Sequence, residues 1–399
     1  MRILALSSWW PEPADNGARL RISNLLRALA REHEVHLLAL AQEPVTAAQR
    51  ARLAEICASV AAVQQKRWTP SRGALLASLW RREPQSVRAT YQAEFATLTQ
   101  QRAAAIRPDL VIAFHLAAAP YALLIPGTPR LFEEVEATVL WEHFQRERDP
   151  RRRARAYLTW SKHRAYLREL LARFDACTVA SALEQRLVES FAGSATTIAV
   201  VPNGATISER EQPGDSPDPD TLIYPGALSY DANYDAVAYF AREILPPLRA
   251  LRPAVRLRVT GRTEPAQRAA LDAPGIEWTG YVDDIRALIA RSWAEVVPLR
   301  RGGGTRLKVL EALAIGTPVV STRKGIEGLT VEPGRHALIA DAPHDFARAT
   351  AQLLSQPQLR AELARNGREL ARERYDWRAI GARFEALACE VATRRRQPV

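Results

Sequence analysis

Residues 297–328 read VPLRRGGGTRLKVLEALAIGTPVVSTRKGIEG. An apolar strand runs into three consecutive glycines, Gly302, Gly303 and Gly304. The pattern predicts that Thr305 opens a helix ending at Gly316, and that Pro318–Ser321 forms the next strand. Glycines at a strand-to-helix turn let backbone approach a ligand closely. The helix N-terminus behind them offers unpaired N–H groups and a positive dipole end to a phosphate. Arg306 and Lys308 add positive charge, and Arg300 and Arg301 flank the loop. Glu311, further along the same helix, is placed to accept hydrogen bonds from a ribose diol. A glycine-rich structural turn with a solvated basic face accounts for GGGT alone, but poorly for the whole string.

The same alternation extends in both directions. Ahead of it, strands are expected at Leu222–Tyr224, Arg256–Thr260, Ile276–Thr279 and Ala294–Val297, separated by helical stretches. Behind it, residues 345–354, 358–375 and 377–394 read as helices. In the first half, Ile3–Leu6, Val35–Leu40, Asp109–Phe114, Arg130–Phe132, Asp175–Ala180 and Thr197–Val201 read as strands, and Ala18–Arg31 has helical apolar spacing. Strand, crossover helix and strand in this order imply parallel βαβ units. Residues 208–221, SEREQPGDSPDPDT, have a linker's composition. The expected architecture is α/β, with two doubly wound Rossmann-like domains: 1–207, then the 208–221 linker, then 222–399. The last helix is expected to pack back on the first domain. Ligands of such folds sit outside the carboxyl ends of the strands, so two domains facing each other would enclose a cleft.

Composition narrows the class. The 399 residues are 47% hydrophobic and 25% charged, which suits a globular chain and not a disordered one. Only four of the 55 basic residues are lysines, so the net charge of +11 reflects arginine-rich coding as much as a particular partner. A basic surface attracts nucleotide, lipid and nucleic-acid phosphates alike, and no RNA- or DNA-binding motif accompanies it. Cys57, Cys177 and Cys389 form no CxxC pair, which excludes a disulfide framework or a cysteine zinc module as the organising feature. No run of apolar residues is long enough for a transmembrane helix. The opening MRILALSS reads as a strand and not a signal peptide, so a cytoplasmic location is expected.

The stretch GGGTRLKVLEALAIGTPVVST is similar to that of retaining glycosyltransferases of the GT-B fold, in the family 4-like or group 1 set. LIYPGALSYDANYDAVAYFAREILPPLRALRP (222–253), VTGR (259–262), IEWTGYVDDIRALIARSWAEVVPLR (276–300), VVPNG (200–204), PDLVIAFHL (108–116) and NGARLRISNLLRALA (16–30) also match. The resemblance implies a nucleotide-diphosphate sugar bound on the second domain and sugar transfer with retention, in polysaccharide or glycolipid synthesis. Glu311 matches the second carboxylate of the family's E-x7-E motif, while Gly303 stands at the first. Leu228 and Asn233 stand where many relatives carry an arginine and a lysine. Diphosphate charge is therefore assigned to Arg262, Arg306 and Lys308. Gly226, Asn233, Gly261, Gly302, Gly303, Gly304 and Thr305 complete the expected donor site.

In the first half, Asn16 and Gly17 are expected beside the phosphates or the acceptor, although turn chemistry alone also explains Asn-Gly. His115 ends a strand and is expected on the acceptor side near the reacting carbon. A packed, hydrogen-bonded histidine is the alternative. Glu133, Glu134 and Glu136 follow another strand and are weaker candidates for lining the acceptor site. Residues 146–173 combine basic residues with Tyr157, Trp160 and Tyr166, which suits either a solvated helix or peripheral contact with an anionic membrane at the inner face. No HExxH or clustered histidines appear. The resemblance together with the basic residues thus predicts metal-independent chemistry with no cofactor beyond the donor substrate. The expected acceptor is a sugar, a lipid-linked or a small molecule, and nucleic acid is not an expected partner. A nucleotide-sugar epimerase of the same fold and a non-catalytic scaffold remain alternative readings.

Overall fold

The computed structural model describes residues 1–65, 83–194, 196–207 and 217–393. The chain divides into two compact units, Met1–Pro202 with Arg378–Val399, and Asn203–Trp377. Residues 208–216 of the linker reading and the arginines at 394–396 lie outside the described residues.

The first unit is built on seven strands: β1 (Arg2–Ser7), β2 (Glu34–Ala41), β3 (Ser59–Gln64), β4 (Leu110–Phe114), β5 (Arg130–Glu133), β6 (Ala176–Val179) and β7 (Thr197–Val200). They pair in the order β3-β2-β1-β4-β5-β6-β7. The second unit has six: β8 (Asp218–Pro225), β9 (Arg256–Thr260), β10 (Ile276–Gly280), β11 (Ser292–Val297), β12 (Val319–Ser321) and β13 (Leu338–Ile339). Their order is β10-β9-β8-β11-β12-β13. Every pairing in both sheets is parallel. Strand order reverses between β1 and β4 in one sheet and between β8 and β11 in the other. Such reversals open a crevice at the carboxyl ends of the strands, where ligands of doubly wound folds bind. Both sheets have the doubly wound, Rossmann-like topology expected from the sequence.

Sheets covered on both faces need strands that are apolar throughout. Leu110–Phe114 is fully buried along its length, and Ile3–Leu6 nearly so. The register is direct, with Ile3 opposite Leu110 and Leu6 opposite Ala113. In the second unit β11 carries one charged residue, Glu295, which is wholly buried.

Three expectations need correction. β8 begins at Asp218, inside the stretch read as a linker. The acids there are drawn into the sheet by arginines: Asp218 pairs with Arg258 at 2.7 Å and Arg291 at 3.2 Å, and Asp220 pairs with Arg252. The helix after the glycines begins at Leu307 and not at Thr305, because Arg306 keeps a non-helical backbone. The basic stretch at 146–173 holds the end of one helix, Thr138–Arg146, and a second, Pro150–Leu171, capped by Asp149. Trp160 of that second helix is turned inward against Trp141 at 5.4 Å. Tyr157 is half exposed and packs on Phe144. No helix among the described residues is long and apolar enough to cross a membrane.

Candidate active site

In the second unit the expected donor residues gather at the carboxyl ends of β8, β9 and β11. Gly226 follows β8 with φ +151°. A Cβ at Gly226 would lie 2.8 Å from Asn233 Nδ2 and 3.1 Å from Lys308 Nζ. Glycine is therefore what lets those two side chains approach the strand end. Asn233 is oriented from two sides: its Nδ2 donates to Ala227 O at 2.9 Å, and the Tyr224 hydroxyl donates to its Oδ1 at 2.8 Å. Lys308 Nζ donates to the same Oδ1 at 3.1 Å and lies 3.8 Å from the centre of the Tyr224 ring. The Lys308 ammonium thus stands beside Asn233.

The Gly302–Gly304 turn packs over this group. Gly302 has φ +104°, and a Cβ there would lie 3.0 Å from Ala232 Cβ. Arg306, expected to meet diphosphate charge directly, turns back instead. It donates to Gly302 O, to Gly303 O at 2.8 Å and to Lys324 O at 3.4 Å. It is nearly buried and acts as a brace that fixes the turn's shape. Arg300 and Arg301 point to Asp235 and Asp231. Arg262 is exposed and lies over the ring of Tyr281 at 5.7 Å. Gly261 (φ +108°) touches the Gly226 backbone so closely that a Cβ would come within 2.8 Å of it. Thr305 is half-buried between the turn and the Leu307–Ile315 helix, on which Glu311 also sits.

Electrostatics set Lys308 apart. Burial lowers its pKa to about 7; Glu295 and Glu311 work against that shift and Arg306 with it. Burial likewise pushes Glu295 well above the usual carboxylate range, with Lys308 opposing. Neither Glu295 oxygen has a hydrogen-bond partner among the described residues. The cause is shared: β11 carries an acid into a low-dielectric layer, and the following helix brings one ammonium towards it. Glu311 is raised too, by burial, with Arg286 and Lys308 pulling it back.

The first unit holds a second constellation, at the ends of β4 and β5. His115 and Glu134 both adopt left-handed backbone, at φ 64° and 60°. Such conformations are uncommon for non-glycine residues and concentrate at functional sites. His115 Nε2 and Glu134 Oε2 are 2.8 Å apart. Beneath them Arg21, from the Gly17–Leu29 helix, is fully buried. Its Nε donates to Glu133 Oε1 at 2.7 Å and its Nη2 donates to Val201 O at 2.9 Å. Burial works against a charged His115, but the Glu134 hydrogen bond and charge, with Glu133 behind, hold its pKa above the ordinary value. Asn16 caps the helix that carries Arg21, its Oδ1 accepting from Arg19 N at 3.0 Å. Gly17 is that helix's first residue. Glu136 is exposed.

Sequence reading missed Arg21, Tyr224 and Glu295. Two of them carried a signal. Arg21 interrupts the apolar face formed by Ile22, Leu25 and Leu29, and Glu295 interrupts an apolar strand. A charge in such a place must find a partner, as Arg21 does, or be neutralised, as a buried carboxylate is when it takes up a proton.

Two family models match the chain: glycosyl transferase 4-like domain over residues 16–204, and glycosyl transferases group 1 over residues 219–356. The chain belongs to the group 1 glycosyltransferases. The chain is 31% identical over 159 residues to the GDP-mannose-dependent alpha-(1-6)-phosphatidylinositol monomannoside mannosyltransferase of Mycolicibacterium smegmatis, a match covering 36% of this chain and 42% of the relative. It is 31% identical over 108 residues to the MMP alpha-(1->4)-mannosyltransferase of Mycolicibacterium hassiacum, covering 26% of each. The matched segments therefore span less than half the length of either relative. Similar folds are found in sucrose-phosphate synthase from Thermosynechococcus elongatus (TM-score 0.67, 18% identity, 98% of this chain and 99% of the other). Anabaena HepE, solved with UDP and glucose, is similar over 98% of this chain and 100% of its own (TM-score 0.68, 16% identity).

Proposed function

We propose that this glycosyltransferase moves a sugar from a nucleotide-diphosphate donor to an acceptor with retention of configuration, in glycolipid or polysaccharide synthesis. One observation carries the reading: glycine turns follow both strands at the β8/β11 reversal, and Lys308, with a lowered pKa, reaches the first of them. Glycines admit the phosphates, and Lys308 together with the N–H groups ahead of the Leu307–Ile315 helix supplies fixed positive charge. Developing charge on the leaving diphosphate is stabilised there without reorganisation. Support for the donor class comes from HepE, whose structures hold UDP or UDP-glucose. The GDP-mannose-dependent relative makes GDP-mannose the first donor to test beside UDP-glucose. The test is a panel of nucleotide sugars, with release of nucleoside diphosphate and the anomeric configuration of the product both read. Isomerised sugar from donor alone would favour an epimerase, and binding without turnover on any acceptor a scaffold.

Glu311 is assigned to the donor ribose. Glu311→Ala is expected to weaken nucleoside-diphosphate binding by about 1.5–3 kcal/mol, the range for hydrogen bonds to a charged group. Unchanged calorimetric affinity in a folded variant would remove the assignment.

His115 belongs to the other unit and is assigned to the acceptor side. Its imidazole, oriented by Glu134, exchanges a proton or a hydrogen bond with the acceptor hydroxyl and contributes little to nucleotide binding. His115→Ala should therefore lower kcat by about 10²–10⁴-fold, the usual range for a positioned proton-transfer group. Its nucleotide Kd should match that of the parent. Equal kcat in the two proteins would exclude the role.

Metal-independent transfer is proposed on the same grounds. Turnover at 25 °C is expected to survive EDTA, because Lys308 and the helix N–H groups take the place of a bridging cation. Loss of turnover with chelator, restored by magnesium or manganese, would show that the diphosphate is held otherwise.

A further inference from the structure

The Trp377–Thr393 helix returns the chain to the first unit. Ile380, Phe384, Ala388 and Val391 bury one of its faces completely. Gly381 lies so close to the Gly17–Leu29 helix that a Cβ there would meet Ala28 Cβ at 2.6 Å. Beside this contact, one turn apart on the returning helix, stand Glu385 and Cys389. They face His33, in the turn that leads into β2. His33 Nε2 lies 2.9 Å from Glu385 Oε1 and 3.7 Å from Cys389 Sγ, and Sγ lies 3.1 Å from the same carboxylate oxygen. His33 Nδ1 is buried without a hydrogen-bond partner among the described residues, so the ring's polar contacts all lie on the cluster side. His33 is nearly covered, Glu385 has a side-chain exposure of 27%, and Cys389 is partly exposed. The cluster is thus held by packing on one side and reachable from solvent on the other.

We propose that His33, Glu385 and Cys389 bind one divalent ion of the zinc class, which staples the C-terminal helix to the turn after the first helix. One nitrogen, one oxygen and one sulfur ligand within a single small sphere match the donor types and tetrahedral preference of Zn²⁺, with water in the fourth position. The thiolate and imidazole discriminate against Mg²⁺ and Ca²⁺. In the metal-free protein the Cys389 thiol donates to Glu385 Oε1, so Cys389 enters as S–H. Binding forms the S–metal bond, breaks the S–H bond and releases that proton to solvent. Two negative ligands and one neutral imidazole then balance the ion's double charge, which suits a half-covered site. The packed Gly381–Ala28 contact holds the two backbones in place before the ion arrives, so only the three side chains need adjust.

The experiment titrates the full-length, tag-free, reduced protein with Co²⁺ and then with Zn²⁺. One equivalent of cobalt should give a near-ultraviolet thiolate-to-metal charge-transfer band, which zinc abolishes by displacement and Mg²⁺ leaves untouched. Zinc should also raise the thermal midpoint and release one proton per ion. Cys389→Ala should lose the band while keeping the far-ultraviolet spectrum of the parent. His33→Asn and Glu385→Gln should each weaken binding at least about tenfold, the scale set by perturbing a ligand shell. Absence of the band in the parent protein overturns the proposal. So does a band that survives in Cys389→Ala, which would point to Cys57 or Cys177. A zinc shift of the thermal midpoint unchanged in all three variants would likewise place the ion elsewhere.

Discussion

Lys308→Met is expected to weaken nucleoside-diphosphate binding by about 2–5 kcal/mol, the range for truncating one partner of a desolvated charge contact. The effect should depend on pH in a defined direction. In the free protein Lys308 has a pKa of about 7, so above that pH it is largely neutral. A diphosphate placed beside it favours the ammonium and draws a proton from solvent. Binding should therefore weaken as pH rises above about 7, a window in which a terminal phosphate is already fully ionised. Glu295, Glu311, Arg306 and Tyr224 surround the ammonium. Of these, Glu295 is held protonated more readily than usual and limits how far the lysine's charge is offset. Titration calorimetry in buffers of different ionisation enthalpy would report the proton uptake. A flat affinity profile, or one whose slope persists in Lys308→Met, would contradict the assignment.

Folding stability supplies a check that needs no ligand. Because the folded pKa of Lys308 lies below that of the unfolded chain, the unfolded state binds more protons between about pH 7 and the ordinary lysine value of about 10.4. This group's destabilising contribution is complete below pH 7 and fades as pH rises across that window. Lys308→Met should remove that part of the slope, and should be relatively most stable on the acid side.

Arg21→Met is expected to destabilise the protein by about 3–5 kcal/mol, because it leaves the Glu133 carboxylate buried without its countercharge. Both side chains are fully buried, with Arg21 Nη2 2.6 Å from Glu133 Oε1. One Glu133 oxygen already lacks a hydrogen-bond partner among the described residues. Burial raises the Glu133 pKa, and Arg21 is the charge that holds it down. Without Arg21 the folded value climbs further. A group with a raised folded pKa keeps its stability below the unfolded value and loses it as pH rises through the folded one. The destabilisation should therefore be smaller near pH 5 than near pH 8. Urea denaturation at the two values measures it, and Arg21→Met with Glu133→Leu should recover most of the loss. A single variant as stable as the parent at both values would show that the pair contributes nothing. The partner reading of the same geometry is positional: Arg21 also anchors the β5 end that presents Glu134 to His115.

Much of the architecture was legible from sequence. Strands such as ILAL and LVIAF are apolar on both faces, which only a covered parallel sheet explains. Helical spacing between them dictated crossovers, and the GGGTRLK turn marked where the chain must bend towards a ligand. The same local rules failed where neighbours in space decide. Ser59–Gln64 is a half-buried edge strand without a strong pattern. Asp218–Asp220 looked like linker until Arg258, Arg291 and Arg252 paired with it. Arg306 looked like a free cation, yet the non-helical backbone at that residue turns its guanidinium onto the carbonyls of the loop.

The order of elements and the chemistry present at each strand end were readable from the residues alone. Both follow from side-chain periodicity and backbone freedom, which act over a few residues. Which groups share a low-dielectric space follows instead from the packing of the folded chain. Lys308 reaches Asn233 across 75 residues of chain, and Arg21 meets Glu133 across 112. Those encounters exist because parallel crossovers bring distant strand ends side by side. There, burial makes each charge depend on its neighbour, and no property of either residue alone predicts it.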